Sequence, residues 1–142
     1  MSRAVKAAAA FLWCYSVLLL VETVGMGVAR DWSDHGHLVQ HVLVALAYSG
    51  LGWAVLHRQR WAWWVVVIVV GLISVIGIGA AAVFVFEPEA QPSGLGQGFV
   101  ELFQMGRSAY PLFVVSVLVL AGSVLCLLTR GARDAFFRAG DS

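Results

Sequence analysis

Glu22 is an acidic residue set inside a long apolar run of this 142-residue chain. Its run ends seven residues later at Ala29, which on a helix puts the carboxyl about 10 Å from the end. An ionised carboxylate at such a depth in an apolar medium is costly, so it must be protonated or paired. Tyr15 and Gly25, at i−7 and i+3, share its helical face and make a polar, close-packed seam. Such an acid suits either a proton-handling site or a structural hydrogen bond to a neighbouring helix.

A second group follows at once. Asp34, His37 and His41 have the spacing i, i+3, i+7, which stacks all three on one helical face over two turns. Two histidines four residues apart can chelate one metal ion, and an aspartate a turn earlier can add an oxygen. His35, Asp31, Met26 and Met105 fall near the same end. The set would suit zinc or copper. The same spacing also fits a solvated helix start, with His41 bonded inside the structure. His41 and Glu22 lie at similar depth on segments joined by a short loop, so they are expected to meet.

Other chemistries find no support. Cys14 and Cys126 stand alone within apolar runs, without a CxxC pair. GxSxG and HExxH motifs are absent, and the GIGA at residues 77–80 is no phosphate loop, because it lies inside an apolar run without lysine. The net charge is +1, with scattered basic residues, which argues against a nucleic-acid partner. No enzymatic activity is expected.

The elements that must position these residues are apolar. The chain is 61% hydrophobic and 12% charged, against roughly 25% charged in soluble domains. The expected fold is all-α, an integral membrane four-helix bundle forming a single domain, with the lipid bilayer as its solvent. The spans are expected at 7–29, 38–56, 61–86 and 109–129. The opening MSRAVK and the Gly27-Val28-Ala29 sequence resemble a signal peptide, but the run is long for one and carries Glu22. Ser33 suits the N-cap of the second helix. Trp61, Trp63 and Trp64 read as an interfacial belt beside Arg58 and Arg60. Gly71, Ser74, Gly77 and Ala81 form a small-residue stripe that admits a close neighbour. Between the third and fourth spans, residues 87–108 form a loop rich in Pro, Gly and acid, whose Phe99–Arg107 stretch fits a short interfacial helix.

Orientation follows from charge. Arg3, Lys6, Arg58, Arg60, Arg130, Arg133 and Arg138 fall on one side of such a bundle, and Arg30 and Arg107 on the other. That asymmetry puts both termini in the cytoplasm of a multi-pass protein, as in a bacterial inner membrane.

The fragment Val21-Glu22-Thr23-Val24-Gly25 is similar to the first-helix motif of the small multidrug resistance transporters. The resemblance implies a four-span antiparallel dimer in which Glu22 binds protons or cationic drugs. It covers five residues, and the long acidic loop and single fixed orientation depart from that family. The leading expectation is therefore a non-enzymatic accessory or assembly subunit, associating with other membrane proteins or with itself. The alternative is a proton- or metal-coupled small transporter using Glu22, Tyr15 and His41, with an outer Asp34/His37/His41 site.

Overall fold

A computed structural model describes residues 2–29, 35–86 and 110–137. All secondary structure among them is helical: α1 (Arg3–Ala29), α2 (His35–Leu56), α3 (Arg60–Trp64), a π-helical segment (Val65–Val70), α4 (Gly71–Phe86), α5 (Tyr110–Leu128) and α6 (Arg130–Phe137). Four helical stretches are long and apolar enough to cross a membrane: Arg3–Val24, Leu38–Leu56, Arg60–Ala82 and Pro111–Leu128. The proposed interfacial helix at residues 99–107, together with Ser33, Asp34 and the rest of both connecting loops, lies outside the described residues.

Helical periodicity sets what each segment buries. On α1 the covered positions include Val5, Ala8, Leu12, Tyr15, Leu19 and Thr23, an i, i+3, i+7 stripe that Ala9 and Ser16 widen. In order of contact the long helices run α2, α1, α5 and α4. α1 packs mainly against α2 and α5, and α5 in turn against the π segment and α4. α2 meets α3 near the turn that joins them, and no substantial contact joins α2 to α4 among the described residues.

The small-residue stripe of the third span is occupied from within. A methyl built on Gly77 would come 2.8 Å from Val117 Cγ2, and one on Gly71 3.8 Å from Val124 Cγ1. Ser74 is buried on the same face and donates to Val70 O at 2.7 Å. This is the close approach that small residues permit, and the neighbour is α5 of the same chain.

The third span does not stay regular. Val65–Val70 reads VVVIVV and winds as a π-helix, with Gly71 N–H reaching back to Val66 O. Successive β-branched residues crowd the i, i+3 and i+4 positions of an α-helix. A wider turn relieves that crowding while Val66 and Val70 remain buried.

We call the end that carries the α2–α3 turn the base. The turn closes in a hydrogen-bonded cap: Arg58 N–H donates to Val55 O at 3.0 Å and Gln59 N–H to Ala54 O at 3.1 Å. Arg58 itself sits at φ 53°, the left-handed position of a Schellman cap. A further helix lies across the base. Gly131 in α6 lies beside Ser2, while Phe137 meets the Trp63 ring edge-on at 5.3 Å. α6 therefore runs from the start of α1 to the start of α3, burying Ala132 and Phe136. Trp63 ties the same corner to α5 by donating Nε1–H to Leu127 O at 3.2 Å.

Candidate functional site

The polar side chains converge on the seam between α1 and α2. The helices run antiparallel, and matched pairs recur along their length. Nearest the base, Gly52 faces Ala9 and Trp13, where an added Cβ would come 2.8 Å from Trp13 Nε1. That indole donates instead to Ser49 O at 3.2 Å. Further along, Tyr15 meets Tyr48 edge-to-face, with centroids 4.7 Å apart. Towards the far end, Thr23 Oγ1 and His41 Nδ1 lie 3.2 Å apart. Each pair needs a small or planar group on one helix opposite a ring on the other.

The Thr23–His41 contact carries a tautomer with it. The Thr23 hydroxyl has one proton and directs it to Leu19 O at 2.7 Å. His41 Nδ1 must then carry the hydrogen and donate it to Thr23 Oγ1, an assignment made from the hydrogen-bond network. In a neutral ring this leaves Nε2 as the basic atom. His41 is 3% exposed, so the bond is made out of water, where leaving either partner unmade is expensive.

Glu22 stands at the edge of this seam. It is half-buried and lies two turns beyond Tyr15 on the same face of α1. Tyr15 is 1% exposed and Tyr48 is half-buried. The structure thus brings Tyr15, Glu22 and His41 to one helix pair, and adds Thr23 and Tyr48. Thr23 was the readable omission. It follows Glu22 directly and lies four residues from Leu19 on the buried stripe.

The proposed metal set is described only in part. Asp34 and the His37 side chain lie outside the described residues, so His41 alone of the three has a defined environment. Among the described residues, no three His, Cys, Asp or Glu side chains group together. His57, at the other end of α2, is exposed, bonds Trp53 O through Nδ1 at 2.9 Å and stacks on the Trp53 ring.

Hydroxyls elsewhere are turned inward to their own helices. Ser16 donates to Leu12 O, Ser74 to Val70 O, and Ser123 to Leu120 O. These bonds satisfy buried oxygens and leave none of the three aimed at a base, as a nucleophile would be.

Comparison with protein-family models, with curated proteins and with solved structures gave no match. The site's chemistry therefore rests on its own geometry.

Proposed function

We propose that this chain is an integral membrane protein that crosses the bilayer four times and works without enzymatic activity, as an accessory or assembly subunit of a membrane complex. The observation that carries the membrane reading is the outward surface. Val21, Leu46, Val75 and Leu125, one from each long helical stretch, are 61–68% exposed. Monomeric soluble proteins rarely leave apolar faces of that extent in water. Seven basic residues at the base end of the sequence topology, against two at the other, support cytoplasmic termini.

The subunit reading draws on the exposed apolar faces of the long helices and on serine hydroxyls bonded to their own helices. The small-residue stripe of α4 does not add to it, because α5 already fills that stripe. Partner proteins would meet the outward faces instead. The test is native gel migration of the tagged chain, extracted mildly from its own membranes. A complex much larger than the same chain purified alone, and unchanged by Glu22→Gln, supports the subunit reading. Migration as the isolated chain in both preparations counts against it.

A second reading is favoured by one observation, the buried Thr23–His41 bond beside half-buried Glu22. In that reading the chain is a proton- or metal-coupled transporter. Proton flux in proteoliposomes, lost in Glu22→Gln with normal insertion, would establish it.

A further inference from the structure

The base carries a charge pattern that the functional reading does not use. Arg3 and Lys6 are exposed and lie three residues apart on one face of α1. Arg130 and Arg133 are exposed with the same spacing on α6, to one side of the stripe that buries Ala132 and Phe136. The two pairs are neighbours, because a methyl built on Gly131 would come 3.8 Å from Ser2 Oγ. Burial of Phe136 fixes the roll of α6, so its two arginines are presented outward together rather than by chance of a loose tail. Asp134 is the acidic residue described at this end, and it is half-buried. Four like charges in one corner therefore outnumber the local acid and call for an anion.

Depth says which anion. Trp53, Trp61 and Trp64 are exposed around the same end, and exposed tryptophans mark the level of the lipid headgroups. The four cations stand at the ends of the helices, just beyond that belt. At this level the abundant anions are phospholipid headgroups, whose surface potential attracts basic side chains. We propose that the corner formed by Arg3, Lys6, Arg130 and Arg133 holds the headgroup of an anionic phospholipid, with α6 as the strut that presents two of its contacts. The site rests on the membrane reading above.

The test is native mass spectrometry of the full chain in detergent, with equal amounts of phosphatidylglycerol and phosphatidylethanolamine added. Retention of phosphatidylglycerol is expected to dominate. Each cation near an anionic surface contributes about fivefold, so Arg130→Gln/Arg133→Gln should lower the preference about 30-fold. Arg58→Gln/Arg60→Gln, on the α2–α3 turn, should leave most of it intact. Equal retention of the two lipids by the unaltered chain overturns the proposal, and so does an equal loss in both double variants. Addition of inorganic phosphate that displaced the bound lipid would overturn the lipid as occupant. Membrane fractionation of the same expression culture separates the two levels. Protein missing from the membrane fraction would sink the membrane reading, whereas membrane-located protein without lipid preference sinks this site alone.

Discussion

Gly77 and Gly79 lie two residues apart on α4, yet substitution by alanine should affect stability differently at the two positions. At Gly79 nothing lies within 4 Å of an added Cβ. Alanine there gains helix propensity, about 0.8–1.0 kcal/mol relative to glycine in a helix interior. At Gly77 the same methyl would come 2.8 Å from Val117 Cγ2 and 3.4 Å from Cγ1. Val117 is buried, and its branched Cβ holds it close to one rotamer in a helix. It cannot swing aside, so α4 and α5 must part by several tenths of an ångström. Overpacking of this kind costs about 1–3 kcal/mol. The propensity gain is common to both sites and cancels in the comparison. Gly77→Ala should therefore be less stable than Gly79→Ala by about 1–3 kcal/mol, the overpacking cost alone. Val117→Ala removes both offending methyls, so Gly77→Ala should be less harmful in that background, by about 1 kcal/mol or more of coupling. Equilibrium unfolding in mixed detergent micelles, followed by circular dichroism, measures the unaltered chain, the three single variants and the double variant. Equal stability of the two alanine variants, or strict additivity with Val117→Ala, would refute the α4–α5 contact.

Three further outcomes test other joints. Thr23→Val should cost about 1–3 kcal/mol, because it strands the buried His41 N–H, whereas Thr23→Ser should recover most of that loss in the same unfolding assay. Arg58→Gly should stabilise by about 1 kcal/mol, since glycine adopts positive φ without the clash that an L side chain meets; a destabilised variant would refute the left-handed cap. Phe136→Ala should cost about 3–5 kcal/mol if α6 is docked as a unit, and limited proteolysis should then cut within residues 130–137, which the unaltered chain protects.

The helices were legible because span length and hydropathy are one-dimensional properties: a run long enough to cross about 30 Å of hydrocarbon shows itself without knowledge of its neighbours. The stripe of Gly71, Ser74, Gly77 and Ala81 was legible for the same reason, but the identity of its neighbour was not. Nothing in four small residues distinguishes α5 from another chain. The π segment was hidden, because a β-branched run has the same hydropathy whichever way it winds. α6 was hidden by its charges. Read after Thr129, Arg130 and Arg133 look like the end of the fold, and only the placement of Phe136 against the bundle shows that the amphipathic turn continues it.

The polar seam was read without Thr23, and the reason bears on function. Glu22 draws notice because charge in an apolar run is costly, but adjacent residues on a helix point about 100° apart. The stripe that faces α2 passes through Leu19 and Thr23, so Thr23 takes the bond to His41 while Glu22 stays at the edge, half-buried. A carboxyl at the edge of a seam is placed to exchange with its surroundings more readily than one locked inside it. The locked pair, meanwhile, holds α1 and α2 in register by a directional bond, where α4 and α5 rely on shape. That division gives the two readings distinct signatures. If Thr23 and His41 serve only to join the helices, replacing both by apolar residues of similar volume should preserve the fold and all function, because removing both partners leaves no stranded group. If they set the environment of Glu22, the same replacement should leave stability near its starting value and abolish the Glu22-dependent flux alone.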